Sequence, residues 1–315
     1  MERVMISIVT PCYNEEENIA EVAAQVRSIM ESLPEYTYEH IFIDNASTDQ
    51  TVDKLKLEAE KDNNIKIIVN SRNFGYIRSS MYGIYQATGD AVILIVADLQ
   101  DPPKMIIEFI KKWEEGNDAV VGTKITSEEN KWMFSIRGAY YKLLSRVSEN
   151  QTIDHFTGFG LYDKKIISAI KSINDPYPFF RGLLSEVGYK VSKVEYNQPI
   201  RKKGKTKYNF YRLYDIGVLG IISNSKVPLR LAVFGGAISS AFSLLVGLGY
   251  FIMKIINWNT MELGIAPLLI LSSLMFSVTL LFLGIIGEYV GAIYTQSQNR
   301  PLVFEQERVN FRDKS

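Results

Sequence analysis

Two stretches of this chain carry no charged residue: Leu231–Met253, 23 residues long, and Leu263–Gly287, 25 residues long. Each exceeds the roughly 20 apolar residues that cross a hydrocarbon core. A water-exposed helix of that length keeps a polar stripe, and these keep none. The pair predicts two transmembrane helices. Small residues recur in both, Gly235, Gly236, Ser239, Ser240, Gly247 and Gly249 in the first and Ser272, Ser273, Gly284 and Gly287 in the second. They predict close packing between helices.

The flanks set an expected orientation. Between Arg201 and Arg230 lie eight Lys or Arg residues and one acid, Asp215, whereas the connecting segment 257–263 has no Lys or Arg. The positive-inside rule then puts the large N-terminal part and the C-terminal tail in the cytoplasm. Lys254, at the far end of the first span, opposes this weakly and can snorkel outward. Phe210, Leu213, Tyr214, Gly217, Val218, Ile221 and Ile222 share one face of a helix. That face suits a helix lying in the membrane interface, and an ordinary amphipathic core helix would show the same pattern.

Composition excludes several classes. With 35 basic and 35 acidic residues the net charge is zero, so no nucleic-acid partner is expected. Cys12 is the only cysteine, and His40 and His155 are the only histidines. No internal disulfide and no thiolate or His-rich metal cluster can form. The N-terminus meets Pro11 and then acids soon after its short apolar run, which predicts a first strand and no signal peptide.

The first 125 residues alternate strand and helix patterns. Strands are predicted at Val4–Thr10, His40–Ile43, Ile65–Val69, Ala91–Val96 and Ala119–Gly122. Between them fall helices over Glu15–Leu33, from about Thr51 with Asp49 as cap, around Ser79–Ala87, and near Lys104–Glu115. In the first helix Ile19, Val22, Ala23, Val26, Ile29, Met30 and Leu33 share a face. Apolar strands joined by helical crossovers predict a mostly parallel sheet covered on both faces. Residues 126–200 read less clearly: a helical pattern at Trp132–Val147, a Gly-containing loop at Thr157–Gly160, and aromatic turns near Pro176–Phe180.

Ligands of such sheets bind outside the carboxyl ends of the strands, where PCYNEEEN, DNASTD and ADLQDPP fall. Asp98, Gln100 and Asp101 offer hard oxygens to a divalent cation that keeps positions open for phosphate; a capped turn before a helix would use the same residues. Asp44 could accept from a base N–H, or could close an Asx-turn. Tyr13, Asn14 and Glu15 could stack on and hydrogen-bond a nucleoside. Arg72, Asn73 and Gly75, with Arg78 beyond, add a cation and flexible backbone on the same rim. No phosphate-binding G-x-x-x-x-G-K-[ST] loop, dinucleotide fingerprint or nucleophile elbow is present.

TPCYNEEENI, IDNASTD, NSRNFGY and ADLQDPP, in this order and spacing, resemble glycosyltransferase family 2, and the DLQDPP form resembles its polyprenyl-phosphate branch. The resemblance covers essentially the whole chain. It implies a GT-A, Rossmann-like α/β domain over 1–200, a basic segment and interfacial amphipathic helix over 201–229, two transmembrane helices over 230–290, and a cytoplasmic tail over 291–315. It implies an inverting transferase that moves a hexose, with glucose from UDP-glucose as the best guess, onto polyprenyl phosphate. Pro11, Tyr13, Asn14, Glu15, Asp44, Asn73 and Gly75 would hold the nucleotide sugar, and Asp98 with Gln100 would hold Mg²⁺ or Mn²⁺. Val96 stands where many relatives have an acid, which leaves this metal site fewer carboxylates. Lys124, Arg137, Arg201, Lys205 and Lys207 would meet the lipid phosphate or diphosphate, and Asp154 or Asp101 would be the base. The implied setting is the bacterial inner membrane, among membrane lipids and as a homo-oligomer. A processive synthase would carry Q-x-x-R-W and more spans, both absent. A non-catalytic flippase subunit or scaffold is the alternative from another class.

Overall fold

The computed structural model describes residues 3–126, 156–176, 178–199, 226–257 and 265–311. Eight strands form one sheet: β1 Met5–Cys12, β2 Thr37–Asp44, β3 Ile65–Asn70, β4 Ala91–Leu94, β5 Ala119–Thr126, β6 Phe156–Asp163, β7 Val191–Asn197 and β8 Glu305–Val309. Their spatial order is β7-β5-β6-β4-β1-β2-β3-β8. The helices are α1 Ile19–Glu31, α2 Thr51–Lys61, α3 Tyr76–Gln86, α4 Met105–Glu114, α5 Lys164–Ile173, α6 Phe180–Glu186, α7 Val227–Ile256 and α8 Ile265–Ser297. Strands β4, β1, β2 and β3 run parallel side by side, as do β5 and β7. The mostly parallel sheet read from the sequence is the one observed.

Alternation along the strands builds two cores. Ile6, Ile8, Phe42, Ile67 and Ile93 point to the side of α1, α2 and α4, where they meet Val22, Leu55 and Phe109. Val9, Ile41, Ile43, Ile68 and Leu94 point to the other side, where Met81, Ile84, Ile166 and Leu183 cover them. In α1 the buried residues are Ile19, Val22, Ala23, Val26 and Met30, the spacing of one helical face. Each fully buried aliphatic or aromatic side chain contributes roughly 1.5–3 kcal/mol. A charge at Phe42 or Val22 would therefore offset much of a domain's narrow net stability.

Two segments differ from the expectation. Thr157–Gly160, read as a loop, lies within β6, which inserts antiparallel between β4 and β5. Its glycines are there for space and backbone freedom. Gly158 has a φ of 104°, and a Cβ on Gly160 would sit 2.5 Å from the Val120 carbonyl oxygen. The region beyond 291, read as a tail, stays helical to Ser297 and then adds β8 along β3. Nothing local marks β8, because EQERV is polar and its partner lies far away in the chain.

The two uncharged runs form the long helices α7 and α8, each apolar and long enough to cross a membrane. Their side chains face outward: Leu231 is 63% exposed, Phe234 65% and Ile238 71%. A core helix of a soluble protein would bury such residues, so this surface fits lipid. The helices meet where Gly235 faces Phe282, a Cβ there falling 2.6 Å from its ring. Gly247, Gly249, Gly284 and Gly287 have open space where a Cβ would stand, so the close packing expected of the small residues holds at Gly235. The helical pattern at Trp132–Val147 and the amphipathic face over 210–222 lie outside the described residues.

Candidate active site

Parallel register brings four strand ends together. Cys12 is level with Asp44, Asp44 with Val69, and Val9 with Leu94. The loops beyond them are those that carry the four motifs, and they open on one edge of the sheet, where this fold class binds ligands.

The first two loops are stitched to each other. Asn14 takes a left-handed conformation, with a φ of 54°. Its N–H donates to Ser47 Oγ at 2.8 Å, and its side-chain oxygen accepts the Thr48 N–H at 2.7 Å. The Glu15 N–H donates to Thr51 Oγ1 at 2.9 Å, and Glu16 accepts from the Gln50 N–H at 3.0 Å. Tyr13, Asn14 and Glu15 are half-buried on this rim, and Pro11 is buried beneath it. Asp49 accepts from the Thr51 N–H at 3.0 Å, as expected of a residue opening α2.

Asp44 lies at the end of β2. It has no exposed surface, and its carboxylate accepts from both the N–H and the hydroxyl of Ser47. Burial pushes this carboxyl up, while the Ser47 hydrogen bonds pull it down. Asp44 closes the turn after β2 from inside, the Asx-turn reading. The Cys12 thiol beside it is buried and raised well above its ordinary range, by burial first and by Asp44 next.

Asn45, which the sequence reading did not single out, joins the second and third loops. It is 5% exposed. Its Oδ1 accepts from the Phe74 N–H at 2.9 Å and from Asn70 Nδ2 at 3.2 Å. Its Nδ2 donates to Asn73 Oδ1 at 3.0 Å, and Asn73 Oδ1 also accepts the Gly75 N–H at 2.9 Å. Gly75 has a φ of 86°, a conformation that favours glycine. Asn73 and Gly75 thus share one network at the mouth of β3. Asparagine supplies both a donor and an acceptor here, and that is the only signal the sequence offered for Asn45.

Beyond β4, Leu99 adopts a φ of 59° between Asp98 and Gln100. Asp98 Oδ1 accepts from the Gln100 N–H at 3.1 Å. Asp101 turns inward: it is 4% exposed and accepts from the Tyr196 hydroxyl at 2.8 Å. Burial pushes its carboxyl up to about 6, against the Tyr196 hydrogen bond and the nearby charge of Lys124. So enclosed, Asp101 anchors this loop to β7 and has almost no surface to offer as a base. Tyr196 is a residue that sequence reasoning missed, since its partner is 95 positions away.

Two hard oxygen donors, from Asp98 and Gln100, stand close together after β4. Among the described residues no group of three or more His, Cys, Asp or Glu could hold a metal ion. Asp98 and Gln100 supply a carboxylate and an amide oxygen, and a cation held by these two draws its other ligands from phosphate and water. Lys124 is half-buried on β5, within electrostatic reach of Asp101. Asp154, Arg137, Arg201, Lys205 and Lys207 lie outside the described residues.

Comparison with known proteins agrees with this arrangement. Residues 7–171 match the model of the glycosyl transferase family 2. The chain is 34% identical to an uncharacterized glycosyltransferase of Bacillus subtilis (strain 168), YkcC, over 99% of this chain and 96% of that one. It is 33% identical to the bactoprenol glucosyl transferase of Shigella phage SfV, over 94% of this chain and 96% of the relative. Among solved structures, a mycobacterial protein superposes with a TM-score of 0.51 at 15% identity, over 73% of this chain and 74% of the other, a likeness of fold alone. The family match spans just over half the residues and the relatives align along nearly all of them; the chain is a glycosyltransferase of GT-A fold and belongs to glycosyl transferase family 2.

Proposed function

We propose that this chain moves a hexose, glucose from UDP-glucose as first choice, onto the phosphate of a membrane polyprenol such as undecaprenyl phosphate. The observation behind this reading is the union, on one chain, of a four-loop site at the strand ends and two long helices with outward-facing apolar side chains. The bactoprenol glucosyl transferase of phage SfV aligns along that same length, which supports a polyprenyl phosphate acceptor.

In this reading Tyr13, Asn14 and Glu15 flank the nucleoside, with Pro11 beneath. Asn73 and Gly75 border the sugar diphosphate, and Asp44 shapes the rim from inside. Asp98 and Gln100 would hold Mg²⁺ or Mn²⁺. When bound, such an ion neutralises charge on the departing diphosphate. Lys124, Arg137, Arg201, Lys205 and Lys207 would bind the lipid phosphate.

The acceptor decides what the protein must do. A phosphate monoester with a second pKa of about 6 is largely dianionic at neutral pH. Its oxygen forms the new bond to the anomeric carbon as the bond to the UDP oxygen breaks on the opposite face. The electron pair leaves with UDP, and no proton needs to move. Orientation by Lys and Arg therefore outweighs base catalysis, and Asp154 remains the base candidate of least necessity. The basic flank before the first span supports a cytoplasmic setting for this chemistry, where a soluble donor would meet a lipid acceptor.

The test uses full-length protein in detergent with Mg²⁺ and UDP-glucose. UDP release that requires added undecaprenyl phosphate supports the reading. Release that ignores the lipid, or none with any nucleotide sugar, overturns it.

A further inference from the structure

The segment between α8 and β8 lies directly against the loop after β3. The Ser71 N–H donates to the Phe304 carbonyl at 2.8 Å. The Arg78 guanidinium donates to the Pro301 carbonyl at 2.6 Å. Asn70 is in register with Glu305. Between these ties the Phe304 ring meets the Phe74 ring, with centroids 6.1 Å apart and planes at 46°. The Arg72 guanidinium lies over the same Phe74 ring, 4.0 Å from its centroid.

Loop 71–75 is therefore held from two directions. Asn45 grips its backbone from the inside, and residues 301–305 border it from the outside. The inner grip explains Phe74, which is 7% exposed. Burial does not explain Phe304, which is 59% exposed.

We propose that Phe304 is a positioning residue for the donor loop, acting through Phe74 on Arg72. This rests on the reading above that loop 71–75 borders the nucleotide-sugar site. The aromatic pair and the cation–π contact each favour one arrangement of the side chains they join. Together they hold Arg72 in one orientation before an anionic diphosphate arrives. Without the ring, ordering Arg72 falls to the binding step, and donor affinity drops. The lipid acceptor makes no use of this contact, so its affinity stays unchanged. Only a few residues separate Phe304 from the end of α8 at Ser297, so the second candidate span and the donor loop are joined through a short tether.

The test is calorimetric titration of the full-length protein with UDP in Mg²⁺, paired with steady-state kinetics. Phe304→Ala should weaken UDP binding about three- to tenfold and raise the donor KM in step. The kcat and the acceptor KM should hold, and the thermal midpoint should fall by no more than a few degrees. Phe304→Tyr, which keeps the ring, should bind as the wild type does. Adding Arg72→Ala to Phe304→Ala should cost less than the two separate losses combined. Wild-type binding in Phe304→Ala overturns the inference alone. So does a loss shared equally by donor, acceptor and thermal midpoint, because that is a general loosening of the fold. A wild-type protein that binds no UDP removes the donor-site reading and this inference with it.

Discussion

Asn45 Oδ1 accepts the buried Phe74 N–H at 2.9 Å, so the loop after β2 holds the loop after β3 in place. Asn45→Ala would leave that N–H without its acceptor and leave the Asn70 amide only the Ser79 hydroxyl, 3.1 Å away. Unmaking buried hydrogen bonds of this kind costs about 1–3 kcal/mol. We expect a lower thermal midpoint and a raised donor KM. Asn45→Asp, which keeps the acceptor but loses the donor to Asn73, should recover most of the stability and less of the donor affinity. Differential scanning fluorimetry and donor kinetics together separate the two.

Gly160 of β6 pairs with Val121 of β5, with no room for a side chain. A methyl there would press on the Val120 carbonyl at 2.5 Å and on Val121 Cα at 3.0 Å. Both are backbone atoms that cannot turn away. Gly160→Ala should destabilise the domain by roughly 1–3 kcal/mol, read as a shift in the urea midpoint of unfolding. Gly116→Asn is the control: Gly116 has a φ of 85° and open space around it, and asparagine tolerates that conformation, so the midpoint should barely move.

These positions show what the sequence could and could not reveal. Strands β1 to β4 were legible because both faces are covered, so their residues are almost uniformly apolar. The four loops were legible because polar residues crowd immediately after those runs. Strand β6 was hidden because the glycines that let it slip between β4 and β5 look like loop residues. Strand β8 was hidden because an edge strand need not be apolar, and its pairing with β3 crosses more than 230 positions of chain. Asp44 and Asp101 both turn inward, and a one-dimensional reading does not tell an inward carboxylate from an outward one. Ser47 and Tyr196 decide that, and Tyr196 is brought in only by the sheet.

His40 lies wholly inside the sheet, with Nε2 2.8 Å from Thr10 Oγ1. Burial pulls its pKa down to about 3 from the ordinary 6.5. Between these values the unfolded chain binds a proton that the folded chain refuses, so stability falls as pH drops from 6.5 toward 3. The slope from this group is about 1.4 kcal/mol per pH unit. His40→Gln should flatten that part of the stability profile, as followed by urea unfolding at pH 4.5, 5.5 and 6.5 (about one-unit steps). An unchanged slope would mean that His40 is not the group responsible.

Asp98 and Gln100 are the residues proposed to hold the cation. Asp98→Asn should raise the Mg²⁺ concentration for half-maximal activity and lower kcat on the order of a hundredfold. Gln100→Ala should act in the same direction more mildly, because an amide gives up less charge than a carboxylate. Activity measured across a Mg²⁺ and Mn²⁺ series gives the answer; an unshifted metal requirement in both variants would place the cation elsewhere.

The central claim is that the chain joins a hexose to a polyprenyl phosphate. Its most direct test is mass spectrometry of the lipid formed by purified full-length protein given UDP-glucose, undecaprenyl phosphate and Mg²⁺. The product should be undecaprenyl phosphate heavier by one hexose. A lipid left unmodified across a full panel of nucleotide sugars would contradict it.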